Sequence, residues 1–236
     1  MFITVKKSTL LAVLFIFVTV VTAGVVYAKR ADPVFEDGFT VVLDAGHGGM
    51  DGGAVGISGT LEKELNLKVA KRLKKMLKEG GATVKMTREK DESIHDSSAG
   101  TVREQKRSDL SKRRDLAMSP DTDMFISIHM NKFEQSQYRG AQIFYADNDK
   151  SRDLADKIRE RIIPVSEKSD IREIKPAYST MFILNGTENP AVIVECGFLS
   201  NPDEEQLLKD KEYQEKIAKS IYDGICDYIA GDKDEE

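Results

Sequence analysis

The sequence contains few of the residues that build cysteine-based structures. Its 236 residues include two cysteines, Cys196 and Cys226. Two cysteines cannot form a framework of several disulfides, and both lie in segments that look buried. We therefore expect two buried free thiols. Histidine is equally scarce, because only His47, His95 and His129 are present.

The chain also has no excess of basic residues. Its 35 Lys and Arg against 40 Asp and Glu give a formal net charge of −5. A surface that binds nucleic acid needs clustered Lys and Arg, so this class of protein is excluded. A hydrophobic content of 40% with 32% charged residues is typical of a folded globular protein rather than a disordered one. The length suits one α/β domain with short extensions.

Several catalytic motifs are missing. No G-x-S-x-G nucleophile elbow accompanies His47-Gly48-Gly49, although that triplet is similar to the oxyanion loop of esterases. No phosphate-binding G-x-x-x-x-G-K-[ST] loop is present, and Asp51 stands where a dinucleotide fingerprint needs its third glycine. Cys196 lies in a strand pattern with no histidine nearby in the sequence, unlike an activated nucleophile.

Charge is absent from residues 9–28, which follow Lys6 and Lys7. A basic start and an apolar run predict an export signal. A run of about 20 residues is also long enough to span a bilayer as an uncleaved anchor. We predict a signal peptide or membrane anchor at 1–28, a linker at 29–38, a catalytic domain at 39–230 and an acidic tail at 231–236. The catalytic domain would then lie outside the cytoplasmic membrane, either secreted or attached to it.

Short apolar runs alternate with segments of helical periodicity. Strands are predicted at Thr40–Asp44, Ala82–Thr87, Met124–His129, Ala141–Tyr145 and Ala191–Glu195, and helices at Leu61–Lys78, Ser108–Ala117, Ser151–Ile163, Asp203–Leu208 and Tyr213–Ile229. Residues 89–108 are charged and irregular, which indicates a surface insertion. The alternation predicts a single α/β domain with a twisted, mixed, mostly parallel sheet and helices on both faces, an α/β/α sandwich.

Three of the predicted strands lead into residues that can do chemistry. The first is followed by His47, the third ends at His129 and the last ends at Glu195. In open parallel sheets the active site lies beyond the carboxyl ends of the strands, so we expect these side chains to meet. His95 lies in the polar insertion, where we expect it to be solvated.

A fourth candidate lies on the first predicted helix. Glu62 is in phase with the apolar stripe that contains Leu65 and Val69, whereas Glu64 is on the opposite side. A carboxylate that faces the core needs a cationic partner. Three interpretations are open: Glu62 faces solvent in a frayed first turn, it caps that turn, or it binds a metal with the histidines. Two imidazoles and a carboxylate are typical ligands of catalytic zinc.

The order of these motifs resembles that of a known family. The zinc-dependent N-acetylmuramoyl-L-alanine amidases of the amidase-3 type are similar to this chain over nearly all of Thr40–Ile229. The shared segments are Val42-Leu-Asp-Ala-Gly-His-Gly-Gly-Met-Asp-Gly-Gly-Ala54, Leu61-Glu-Lys-Glu-Leu65, Thr87-Arg88, Ser127-Ile-His-Met-Asn131 and Val194-Glu-Cys-Gly-Phe-Leu-Ser-Asn201. The chain departs from many members at Met118, where they have Asn, and at Cys196, where they have Thr.

The resemblance implies a twisted, mixed six-stranded sheet, a Zn²⁺ cofactor and a muramoyl-peptide substrate in peptidoglycan. It makes His47, Glu62 and His129 the zinc ligands and Glu195 the catalytic carboxylate. Asn131 matches a family position beside the metal, where it would orient a ligand or the substrate.

Within the family, the charged stretch after Arg88 and the lack of wall-binding repeats resemble the germination-specific amidases of the spore cortex. That subgroup implies cleavage during cortex synthesis, ahead of muramic-δ-lactam formation. Two alternatives are open: a vegetative amidase that acts in cell separation, and a peptidoglycan-binding protein of the same fold without turnover. The sequence also leaves open whether an accessory or activator protein controls the activity.

Overall fold

A twisted sheet of six strands organises the part of the chain that the structure describes. The computed structural model describes residues 34–165 and 172–234, with side chains up to residue 231. The strands are β1 (Thr40–Ala45), β2 (Thr83–Met86), β3 (Met124–Asn131), β4 (Gln142–Tyr145), β5 (Lys175–Pro176) and β6 (Ala191–Phe198). Their order is β2-β1-β3-β6-β4-β5, and β4 runs antiparallel to β6 while the other neighbours are parallel. The prediction of a mixed, mostly parallel sheet is confirmed.

Helices cover both faces of this sheet, which confirms the α/β/α sandwich. They are α1 (Glu62–Glu79), α2 (Val102–Ala117), α3 (Asp149–Ile162), α4 (Pro202–Lys209) and α5 (Lys211–Asp234). Apolar side chains of α1, α3 and α5 pack on one face, against residues such as Val41 and Leu43 of β1. On the other face, Val42 belongs to a smaller core with the end of α2 and a 3₁₀ turn at Phe182–Leu184. This division follows from the two-residue alternation of side chains along a strand.

The first helix forms as its periodicity predicts. Leu65, Val69, Leu73 and Leu77 recur every fourth residue and are fully buried. Each buried aliphatic side chain contributes about 1.5–3 kcal/mol. The helix ends at Glu79 with Gly80 as its C-cap, and Glu62 is its first residue. The apolar stripe therefore fixes the rotation of α1 and the direction in which Glu62 points.

The second helix begins earlier than the sequence analysis predicts. It starts at Val102 rather than near Ser108, so the predicted irregular insertion of 89–108 contains its first turns. Thr101 and Glu104 form a capping box, in which the Thr101 hydroxyl accepts from the Glu104 amide at 3.2 Å. The Thr-x-x-Glu spacing is itself a helix-start signal. Because the residues after it have little apolar periodicity, the sequence analysis placed the start of the helix too late. Strand β5 was not predicted, because two residues are too few for a periodicity.

The described residues at both ends of the domain are attached to it. The amides of Val34 and Phe35 donate to the Gly80 carbonyl at 2.9 and 3.3 Å, and Phe35 is buried, so these residues of the predicted linker pack on the domain. Helix α5 extends to Asp234, into the predicted acidic tail. The predicted signal or anchor at 1–28 lies outside the described residues. Within 34–165 and 172–234, no helix is long and apolar enough to cross a membrane.

Both cysteines are free thiols, but the predicted burial is wrong for Cys226. Cys196 is buried in β6, where burial raises the pKa of its thiol well above the ordinary value. Cys226 on α5 is only half-buried.

Candidate metal centre

His47 lies in the loop that follows β1, with an unusual backbone. Its φ of 61° is in the left-handed region, which residues other than glycine rarely adopt. Gly48 and Asp51 exchange two backbone hydrogen bonds of 2.9 and 3.1 Å, which close the loop. The His47 Nδ1 lies 2.8 Å from Asp51 Oδ2, and its Nε2 lies 3.2 Å from Glu62 Oε2. One ring nitrogen is therefore held by Asp51, and the other faces Glu62.

His129 approaches the same carboxylate from β3. Its Nδ1 lies 2.8 Å from Glu62 Oε1, and its ring centre lies 4.9 Å from that of His47. A side-chain Cβ at Gly46 would lie 2.1 Å from His129 Nε2, so only glycine lets the loop pass this imidazole. Gly53 has the same function beside Glu62, because a Cβ there would lie 2.5 Å from Glu62 Oε2.

Glu62 is 3% exposed and faces the sheet edge, as the helical phase predicts. Its oxygens accept from the Ala54 amide at 2.7 Å and the Met130 amide at 3.1 Å. Burial alone would raise the pKa of Glu62, but the hydrogen bonds with His129 and His47 outweigh burial and hold that pKa well below its usual range. Glu62 is thus an ionised, inward carboxylate rather than a solvent-facing residue.

One ligand atom from each of His47, Glu62 and His129 lies within 4.8 Å of the others, which is close enough to hold one metal ion. Two imidazoles and a carboxylate suit zinc. The hydrogen bond between His47 Nδ1 and Asp51 is of the kind that orients the imidazole rings of metal ligands. Burial would lower the pKa of His47, but Asp51 and Glu62 raise it to about 9, so the site favours positive charge. A cavity of about 300 Å³, lined partly by His47, His129 and Ile183, opens beside it.

Glu195 lies next to His129, since the two residues are paired in the register of β6 and β3. Its Oε2 is buried without a hydrogen-bond partner among the described residues. Burial raises the pKa of Glu195 to about 7, although the nearby His129 opposes that rise. A buried acceptor without a partner is costly to the fold, and a pKa near neutrality suits a group that exchanges a proton.

The fifth candidate from the sequence, Asn131, and the third histidine, His95, lie in different surroundings. Asn131 follows a bulge in β3, and its Oδ1 accepts from the Lys132 amide at 2.8 Å. Its role beside the metal stays a prediction. His95 is half-buried rather than solvated, with its Nδ1 2.8 Å from Ser93 Oγ, and it is not part of the metal-ligand group.

Sequence reasoning missed a set of buried charged side chains beneath the loop of His47. Arg113 on α2 pairs with Asp44 of β1 and with Asp109, and Arg88 donates to the same Ala45 carbonyl as Arg113 does. The spacing of Asp109 and Arg113, four residues apart on one helix, is the only local signal. Asp44 ends a buried strand segment, and no local pattern identifies its partner.

The fold and the site define an α/β-sandwich protein with a group of side chains that could hold a metal ion at the carboxyl edge of its sheet. Residues 41–227 match the family model described as N-acetylmuramoyl-L-alanine amidase. The chain belongs to this family, the amidase-3 type, and is an N-acetylmuramoyl-L-alanine amidase. This confirms the family and the enzyme activity that the sequence analysis predicted.

Named relatives share most of this chain. The germination-specific N-acetylmuramoyl-L-alanine amidase of Bacillus subtilis (strain 168) is 37% identical over 197 residues, which cover 81% of this chain and 80% of the relative. The solved CwlD amidase of Clostridioides difficile, in complex with the GerS lipoprotein, is 41% identical with a TM-score of 0.78, covering 82% of this chain and 99% of that one. The catalytic domain of CwlV from Bacillus (Paenibacillus) polymyxa is 32% identical with a TM-score of 0.70, covering 81% and 98%.

A comparison of two glutamates on α1 tests the assignment of Glu62. We expect Glu62→Gln to weaken zinc binding and activity sharply, because it removes the charge that faces both imidazoles. Glu64→Gln, on the exposed side, should change the free energy of unfolding by about 0.5 kcal/mol or less and leave zinc binding unchanged. Zinc titration and thermal unfolding of both variants check this. Loss of zinc in Glu64→Gln alone would show that the wrong carboxylate has been chosen.

Proposed function

We propose that this amidase is zinc-dependent and that His47, Glu62 and His129 hold the ion. The observation that carries the proposal is the convergence of these three side chains, with ligand atoms within 4.8 Å of one another. A bound Zn²⁺ supplies Lewis acidity: it lowers the pKa of a bound water to about 7 and polarises the scissile carbonyl. Asp51 fixes the ring of His47, and the Ala54 and Met130 amides fix the carboxylate of Glu62.

Glu195 is the proposed general base and acid. Its buried Oε2 has no partner among the described residues, so it is free to take the proton of the attacking water. The water oxygen bonds to the lactyl carbonyl carbon of N-acetylmuramic acid. Glu195 then gives its proton to the nitrogen of L-alanine as the carbon–nitrogen bond breaks. The products are a muramoyl carboxylate and a stem peptide with a free amino terminus.

We assign this activity to spore cortex maturation, ahead of muramic-δ-lactam formation. The support is the 37% identity with a germination-specific amidase and the 41% identity with CwlD. Because the solved CwlD is in complex with a lipoprotein, an accessory lipoprotein is the partner that we propose for this chain. A vegetative amidase of the same family is the alternative.

A comparison of two walls tests the cortex assignment. We expect the zinc-loaded chain, with or without a candidate lipoprotein, to release stem peptides faster from purified cortex than from vegetative peptidoglycan. Mass spectrometry of the digests measures the freed peptides. The Glu195→Gln variant, which we expect to be inactive, is the negative control. Faster release from vegetative walls under both conditions would favour the alternative.

Export is a separate prediction, based on the charge-free run after Lys6 and Lys7. A reporter that is active only outside the cytoplasm should be active when it is fused behind residue 30. The matched control is the same fusion with an Asp pair in the apolar run, which should be silent because charge there opposes membrane insertion. A silent fusion of the unchanged sequence, stable in the cytoplasm, would contradict export.

A further inference from the structure

Two buried arginines hold the three successive carbonyl groups of the loop that leads to His47. Arg88 lies just after β2, and its Nε and Nη2 donate to the carbonyls of Ala45 and Gly46 at 2.8 and 3.0 Å. Arg113 on α2 donates from Nη1 to Ala45 at 3.0 Å and from Nη2 to His47 at 2.8 Å. Both side chains are only 2% exposed. The loop is therefore fixed through its backbone, from two different elements.

Arg113 is itself fixed by carboxylates on two sides. Asp44 of β1 accepts from its Nη1, and Asp109 of α2 accepts from its Nε at 2.6 Å. Asp44 is fully buried and also accepts from the hydroxyls of Ser127 and Thr87 at 2.6 and 2.7 Å. The direction in which Arg113 presents its Nη2 to His47 is thus determined by the sheet and by α2 together.

Arg88 connects the loop to the first helix instead. Besides the loop carbonyls, it donates to the carbonyl of Lys63 at 2.8 Å and to that of Lys90 at 3.0 Å. Lys63 follows Glu62 in α1. The guanidinium of Arg88 therefore joins the backbone before His47 to the helical turn that carries Glu62, and so relates the two candidate ligands to each other.

The backbone of His47 explains why such restraint is needed. A φ of 61° is unfavourable for a residue with a side chain, and such conformations persist only where the surroundings over-determine them. We propose that Arg88 and Arg113 are positioning residues, which hold this strained loop so that His47 Nε2 faces Glu62 and the metal centre is preset. This inference rests on the proposed zinc site. A planar guanidinium donates in several fixed directions, which a lysine ammonium cannot reproduce.

Lysine substitutions test the proposal because they keep a cation and remove the fork. The full chain, purified in a mild detergent, is titrated with zinc against a chromophoric chelator, and its Co²⁺ form is examined by visible absorption. We expect Arg113→Lys and Arg88→Lys each to weaken zinc binding at least about 10-fold, as loss of an outer support typically does, and to change the cobalt spectrum. Arg114→Lys is the matched control, because Arg114 binds the Asn185 carbonyl at 2.9 Å and lies over the ring of Phe182, outside this contact set.

Thermal unfolding of each variant separates positioning from general stability. Zinc affinity and cobalt spectrum unchanged in both lysine variants, with only a lower unfolding temperature, would overturn the proposal. Failure of both variants to fold while Arg114→Lys folds would overturn it too, since the arginines would then support the whole domain rather than the site. If the wild-type protein binds no zinc, the proposed function itself is contradicted. That result does not depend on the variants, so the two failures are distinguishable.

Discussion

Glu195→Gln should lower the rate of amide hydrolysis at least about 100-fold while zinc content stays at the wild-type level. Glutamine keeps the size and the hydrogen-bonding shape of glutamate but cannot accept the proton of the attacking water. The side chain lies beside His129 in the strand register, with its Oε2 buried and without a partner among the described residues. Steady-state kinetics on a muropeptide and metal analysis of the same sample check both parts of the prediction.

The control for this variant is Glu188→Gln, an exposed glutamate near the start of the same strand, which should keep the wild-type rate. Loss of zinc together with activity in Glu195→Gln would make Glu195 a metal ligand. Nearly unchanged turnover would refute its role as the general base.

The second large effect is expected for the histidines. His129→Ala should lower zinc affinity by more than the about 10- to 100-fold typical of losing an outer partner, because it removes a candidate ligand itself. His95→Ala should leave zinc affinity unchanged, since His95 contacts Ser93 Oγ and is outside the metal-ligand group. Zinc stoichiometry by mass spectrometry, with about one ion per wild-type chain, measures the difference. Equal loss in both variants would show that the histidines were chosen wrongly.

The parts of the structure that follow from local periodicity were predictable. Apolar runs identified five of the six strands, and the stripe on α1 gave the inward direction of Glu62. Because His47, His129 and Glu195 each follow or end such a strand, their meeting at one sheet edge could be expected from topology alone. Their roles in binding and catalysis stay predictions.

The parts that depend on distant contacts were not predictable. Arg113 is buried because Asp44, 69 residues earlier in the chain, neutralises it. The sequence of the charged helix α2 therefore suggests that it is exposed to solvent. Its Asp109 and Arg113 are in fact buried beneath the loop of His47. The left-handed backbone of His47 could not be predicted either. The surrounding glycines indicate a tight loop, but they do not indicate that His47 itself has a positive φ.

We propose that this chain hydrolyses the bond between N-acetylmuramic acid and L-alanine with the help of a metal that His47, Glu62 and His129 would hold. The most direct measurement is the amount of new N-terminal alanine that the full chain releases from purified peptidoglycan after chelation and after zinc is returned. We predict that release stops on chelation and recovers when about one zinc per chain is restored. Release that continues in metal-free protein, or zinc-loaded protein that frees no N-terminal alanine from either type of wall, would contradict the account.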